Sequence, residues 1–175
     1  LTKNTTSYLN SVVEPWKIKL VDTGQDVNTG GRLLAIKDYL DGQFMMTYGD
    51  GLSNVNLDKL LEKHNKSNCK ATLTAVRPKP RFGALKMSNG NIVEFTEKPQ
   101  EESGLINGGF FVLEPSVIDY ISSQHTIWEK GPLENLALDG QLSYYEHTDF
   151  WQPMDTLRDK IELEKLWTSG NVPWL

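Results

Sequence analysis

Cysteine is almost missing. Cys69 is the one thiol in 175 residues, so no disulfide can close within the chain, and without a Cys-x-x-Cys pair the spacing of a structural zinc site is missing too. Histidine is nearly as scarce: His64, His125 and His147 share no common spacing. With no Gly-x-Ser-x-Gly turn and no Ser/His/Asp layout, nucleophilic catalysis has no support. No apolar run approaches the roughly 20 residues that a helix needs to cross a bilayer. Positive charge is in deficit, since 18 Lys and Arg against 23 Asp and Glu leave a formal net charge of −5. That balance disfavours a nucleic-acid surface, which neutralises phosphates with clustered Lys and Arg. Any anionic ligand is therefore expected to arrive with a cation.

What is present is the composition of a globular protein, 38% hydrophobic and 23% charged, in a chain long enough to bury a core as one domain spanning residues 1–175. The lone thiol and the lack of a membrane span predict a reduced, cytoplasmic protein. The start at Leu1 rather than Met, followed by the polar stretch Thr2 to Asn10, lacks the charged start and apolar centre of a signal peptide and reads as a fragment cut upstream.

Along the chain, the alternation from Trp16 to Val21 predicts a half-buried strand running into the turn Asp22-Thr23-Gly24. A helix is expected from Thr29 or Gly30, with Leu33, Leu34, Ile36 and Leu40 on its apolar face. Phe44 to Thr47 predicts a buried strand opening into the sharp turn Tyr48-Gly49-Asp50-Gly51, a second helix is expected from Asn56, and Thr72 to Val76 supplies the next buried strand. Strand, helix, strand implies an α/β fold with parallel pairing. Beyond Pro78 and Pro80, Gly83 to Met87 and Ile92 to Thr96 flank Asn89-Gly90, a hairpin signal that predicts a mixed sheet. Strands at Ile106 to Leu113 and Leu142 to Glu146, and helices at Pro115 to Ser122, Leu133 to Leu138 and Thr156 to Trp167, complete the reading.

Chemistry can be assigned to a few of these positions. Asp50 follows a buried strand, where open α/β sheets bind ligands, and the glycines on either side permit close approach. A Gly-Asp-Gly turn is also what any tight turn uses, so a partner is needed. Asp155 is the candidate partner, with capping of the terminal helix as the competing role. Should the two carboxylates converge, they would suit Mg²⁺, which takes one or two protein carboxylates, waters and phosphate oxygens. Lys98 offers a positive end to a phosphate and Glu97 accepts from hydroxyls, unless the two are an ordinary exposed charge pair. Asn107-Gly108-Gly109 inside a strand marks either close approach of a ligand or a β-bulge. Thr29-Gly30-Gly31-Arg32 places free amides and a guanidinium at a helix start, an arrangement that favours anions.

Set in order, VDTG, TGGRL, TYGDG, RFGAL, EKP, INGGFFV and WQPMDTLRDK closely resemble the sugar-phosphate nucleotidylyltransferase family. VEPW, INGGFFV and WQPMDTLRDK together are similar to its cytidylyltransferase branch, and the likeness runs from Glu14 to Trp174. The resemblance implies a Rossmann-like three-layer α/β/α fold with a mixed, mainly parallel sheet. It also implies transfer of a nucleotidyl group from CTP to glucose 1-phosphate, giving CDP-glucose and pyrophosphate with Mg²⁺, on the route to CDP-linked dideoxysugars of bacterial surface polysaccharides. By the family pattern Asp50 and Asp155 would hold the metal. Gly49 would lie against the nucleotide with Thr29 and Arg32 near it, Lys98 would bind the sugar phosphate, and Glu97, Gly83, Asn107 and Gly108 would sit near the glucose hydroxyls. A homo-oligomer is expected, with Trp128, Trp151, Trp167 and Trp174 available to an interface or a core.

One departure accompanies the match. The family's Gly-rich loop, GGxGTRL followed by a lysine-proline segment, does not occur in this chain. Since that loop grips base and triphosphate and its strand lies mid-sheet, the 175 residues are expected to be inactive alone and to expose a sheet edge or leave a core unfilled, with reduced stability or association. Nucleotide choice therefore rests on resemblance. Other readings are a transferase for another nucleotide and hexose 1-phosphate, a noncatalytic sugar-nucleotide binder, or a glycosyltransferase, which the lack of Asp-x-Asp around Asp50 disfavours.

Overall fold

A computed structural model describes residues 16–78, 84–96 and 104–175. Four strands form the main sheet in the order β1-β6-β3-β7, where β1 is Phe44–Thr47, β3 Ala71–Val76, β6 Ile106–Leu113 and β7 Leu142–His147. β3 pairs in parallel with β7, while β6 runs antiparallel to both β1 and β3. The sheet is thus mixed, as expected, with three strands running one way and β6 inserted against them. Its direction places the ends of β1, β3 and β7 and the start of β6 along a single edge, shown by Thr47 opposite Phe110 and by Val76 opposite both Ile106 and His147.

Local chemistry accounts for the helices. α1 (Thr29–Ala35) is short. α2 (Leu57–Ser67) is capped by Asn56, whose side chain accepts from the Lys59 amide, and ends at Asn68 in the left-handed region, φ 54°. α3 (Pro132–Leu138) begins with proline in its first turn. In α4 (Leu157–Thr168), Thr156 accepts from the Asp159 amide while Asp159 reaches back to the Thr156 amide, a reciprocal capping box. The core lies where α1, the 3₁₀ turn Pro115–Tyr120 and α3 meet the sheet, around Leu33, Phe111, Leu113, Val117, Trp128 and Leu136. At about 25 cal/mol per Å² of apolar surface removed from water, each large side chain buried there contributes roughly 1.5–3 kcal/mol.

Several expectations need correction. Trp16 to Val21 forms no strand: Ile18 is 71% and Leu20 92% exposed, because alternation specifies a strand only where a neighbour supplies the ladder. β1 is half-buried rather than buried, its residues alternating and Met45 facing outward, since β6 is its one partner in the described sheet. The Asn89-Gly90 hairpin does form, from β4 (Ala84–Ser88) and β5 (Asn91–Thr96) with φ of 49° and 79° in the turn. It stands as a separate two-stranded sheet, so the reversal of β6, not the hairpin, makes the main sheet mixed. Pro115 to Ser122 is a 3₁₀ turn ending at Tyr120. A ribbon that alternation missed joins β2 (Gly51–Ser53) to β8 (Trp151–Pro153).

Candidate active site

The β2–β8 ribbon brings the two predicted acidic residues together. Gly51 lies opposite Pro153, and the Met154 amide donates to the Asp50 carbonyl at 2.7 Å, so Asp50 and Asp155 leave the same end of one ribbon. Both are exposed. The capping role falls to Thr156, not to Asp155, which leaves the Asp155 carboxylate outside the helix terminus. The ribbon is tied to the main sheet at two points. The Trp151 indole N–H donates to the Gly108 carbonyl at 2.8 Å, and Ser53 Oγ donates to the Phe150 carbonyl at 2.8 Å while lying 3.2 Å from His147 Nε2.

Asn107 and Gly108 open β6 on the same edge. The ladder between β3 and β6 slips between Leu73 and Ala75, so the Gly-Gly pair does mark a β-bulge. The glycines also have steric reasons. A Cβ on Gly108 would sit 2.8 Å from Val76 Cγ1, and Gly109, at φ 80°, would set one 2.7 Å from the Tyr48 ring. Asn107 is half-buried, with its Oδ1 accepting from the Gly109 amide at 2.9 Å and its Nδ2 donating to the Tyr48 hydroxyl at 3.2 Å.

A cavity of about 590 Å³ opens beside Gly49 and Asp50, walled by Thr29 and Arg32 of α1, by Tyr48, and by Trp128 and Glu129. Glu129 accepts from the Thr29 hydroxyl at 2.9 Å and from the Tyr48 hydroxyl. Burial first, and then the hydrogen bond to Glu129, hold the Tyr48 phenol well above its ordinary pKa, so it stays a neutral donor. Neither Tyr48 nor Glu129 was singled out by the sequence. Tyr48 adjoins the predicted Gly49, whereas nothing in Thr126 to Lys130 signals a site.

The helix-start reading changes. The Gly30 and Gly31 amides both donate to the Thr126 carbonyl, at 3.0 and 3.2 Å, so they are not open to an anion. A Cβ on Gly31 would come within 2.1 Å of the Gln124 carbonyl oxygen, so this pair exists to dock α1 on residues 124–128. Arg32 is exposed and holds the preceding loop, donating to Thr23 Oγ1 at 2.6 Å and to the Gly24 carbonyl at 3.1 Å. Gly83, Glu97 and Lys98 lie outside the described residues. Among the described residues no three His, Cys, Asp or Glu side chains gather as a metal cluster. Two exposed carboxylates on one rim are nonetheless a donor set that fits Mg²⁺, which leaves most of its shell to water and phosphate. No described helix is long and apolar enough to cross a membrane.

The sequence pattern described as nucleotidyl transferase matches residues 16–162. The chain belongs to that family. Among curated members it is 51% identical over 164 residues to the glucose-1-phosphate cytidylyltransferase of Salmonella typhi, a match covering 93% of this chain and 64% of that protein. It is 31% identical over 145 residues to a mannose-1-phosphate guanyltransferase of Yarrowia lipolytica, covering 76% of this chain and 40% of that one. The chain thus spans about two-thirds at most of the length of the nucleotidyl transferases it matches. Among solved structures, a UDP-glucose pyrophosphorylase complexed with UDP-glucose superposes with a TM-score of 0.62 at 16% identity, over 86% of this chain and 65% of that one. That likeness establishes the nucleotidyl transferase fold and supports the Rossmann-like α/β reading.

Proposed function

We propose that the protein carrying this chain transfers the cytidylyl group of CTP to α-D-glucose 1-phosphate, releasing pyrophosphate and forming CDP-glucose. The observation that carries the reading is the β2–β8 ribbon, from one end of which both Asp50 and Asp155 leave, and which Trp151 ties to Gly108, next to Asn107. The 51% identity to a glucose-1-phosphate cytidylyltransferase supports the choice of substrates. An oxygen of the sugar phosphate attacks the α-phosphorus of CTP and pyrophosphate departs in line, so the work is positioning and charge neutralisation without a covalent enzyme intermediate. Asp50 and Asp155 would hold Mg²⁺, which when bound supplies positive charge to the phosphates. Asn107 and the Gly108 bulge face the sugar, and Thr29 and Arg32 the nucleotide. Lys98 is assigned to the sugar phosphate, and Glu97 and Gly83 to the glucose hydroxyls, by the family pattern alone. The product would serve deoxysugar synthesis for a bacterial surface polysaccharide, in the cytoplasm, in a homo-oligomeric enzyme.

The mannose-1-phosphate guanyltransferase relative, at 31% identity, keeps a second reading in view, another nucleotide and hexose 1-phosphate on the same site. Pyrophosphate release by the whole protein with Mg²⁺ and CTP, UTP, dTTP or GTP separates the two. Asp50→Asn and Asp155→Asn are each expected to lower CTP-dependent release by about 10²–10³-fold, the scale for losing a group that neutralises transition-state charge, with the fold intact by circular dichroism. Preference for another nucleotide moves the assignment to the second reading. No release with any nucleotide from folded protein leaves a noncatalytic binder. The 175 residues alone, without a GGxGTRL loop, are expected to release none.

A further inference from the structure

Four elements contribute one hydrogen-bonded relay to the rim of this site. The Trp128 amide donates to Thr29 Oγ1 at 2.8 Å, and the Thr29 hydroxyl donates to Glu129 Oε2 at 2.9 Å. The Tyr48 hydroxyl donates to the other carboxylate oxygen, and the Asn107 amide donates to the Tyr48 oxygen at 3.2 Å. The relay has a direction, and Glu129 sets it. An ionised carboxylate only accepts, so the Tyr48 hydroxyl must spend its hydrogen there and can offer Asn107 only a lone pair. Asn107 must then present its NH₂ to Tyr48, and the Gly109 amide on Oδ1 at 2.9 Å reinforces the same orientation. These two bonds use one amide hydrogen and one carbonyl lone pair, and a carboxamide has a second of each to offer a vicinal pair of sugar hydroxyls.

We propose that Tyr48 and Glu129 form one positioning unit that fixes which way the Asn107 carboxamide faces and thereby sets the recognition of the sugar phosphate. Glu129 touches no substrate in this scheme. It determines the donor and acceptor order of a group that does. A glutamine in its place could donate to Tyr48, free that hydroxyl to donate to Asn107, and leave the Gly109 amide alone to hold the carboxamide. The scheme deepens the proposed function and rests on its placement of Asn107 at the sugar.

The test uses the whole protein with Tyr48→Phe, Glu129→Gln, the double variant, and Tyr144→Phe as a tyrosine control on an exposed face of β7. Steady-state constants for CTP and for glucose 1-phosphate, calorimetric binding of glucose 1-phosphate, and the thermal midpoint are read for each. Expected are a rise of about tenfold in the KM and Kd for glucose 1-phosphate in either single variant, the scale for losing a group that orients a ligating one. The thermal midpoint should stay near that of the parent, the CTP constant should do so in Tyr48→Phe, which keeps the Thr29–Glu129 bond, and the double variant should be no worse for glucose 1-phosphate than Tyr48→Phe, because removing one end of a relay already breaks it. Losses for glucose 1-phosphate that multiply in the double variant, or that fall equally on CTP in Tyr48→Phe, would overturn the unit. So would a lowered midpoint that accounts for the whole loss in both single variants, or unchanged affinity for glucose 1-phosphate. A parent protein that binds glucose 1-phosphate without turnover, with binding weakened as above, would remove the transfer reading and keep the positioning unit; a parent that does neither removes both.

Discussion

In the half of β6 from Phe111 to Leu113, every residue is at most 1% exposed and meets β1 and β3 in unbroken register. In the half from Asn107 to Gly109 the ladder to β3 slips, a glycine takes φ 80°, and a carboxamide turns along the strand end to a tyrosine. The first half is selected for filling volume, which regular pairing allows. In the second, the Gly108 carbonyl accepts from the Trp151 indole and the Gly109 amide donates to the Asn107 side chain, contacts that a regular ladder does not make. The difference teaches that the strand stabilises the domain at one end and shapes the site at the other.

Three substitutions break that comparison in order of size. Leu113→Ala, at a fully buried position, should cost about 2–5 kcal/mol of stability by transfer and cavity terms, read from urea unfolding, while the folded fraction keeps its substrate constants. Gly109→Ala should cost less stability, about 1–3 kcal/mol for a left-handed residue forced on an ordinary side chain. Since the new Cβ meets the Tyr48 ring 2.7 Å away, its main effect should be a raised KM for glucose 1-phosphate. An unchanged KM would detach the bulge from the site.

The smallest effect is at Glu114, just beyond the regular half. The Gln43 amide first, and then buried His64, hold its carboxyl below the usual glutamate range. A folded-state pKa below the unfolded one gives stability that is present above the unfolded value and is lost as pH falls through the folded value. With the side chain 39% exposed, solvent screens the gain. The difference in thermal midpoint between the parent and Glu114→Gln should therefore be small at neutral pH and vanish in acid below the usual glutamate range, with no change at the Asn107 end.

Legibility followed the range of the interactions. The strands Phe44 to Thr47 and Ile106 to Leu113, the Asn56 and Thr156 helix starts, and the Asn89-Gly90 turn could be read because periodicity, capping and φ preference act over a few residues. Trp16 to Val21 misled for the complementary reason, since its alternation has no neighbour to pair with in the described sheet. In the candidate site Asp50, Asp155, Asn107 and Gly108 stood out by residue type and local context. The Gly30-Gly31 pair had the right residues for an anion site, but a contact nearly a hundred residues away along the chain uses their amides.

Amino-acid order by itself determined where most helices and strands form, how they are capped, and which carboxylates and glycines were worth pairing, because those choices depend on neighbours along the chain. Only the tertiary structure decided that β6 runs against its partners, that Asp50 and Asp155 leave one end of the same ribbon, and that Glu129, Tyr48 and Asn107 share hydrogen bonds. Each of these joins groups distant in sequence. A hydrogen bond is satisfied only at about 3 Å between correctly aimed atoms, a condition that no local pattern encodes and that packing alone fulfils.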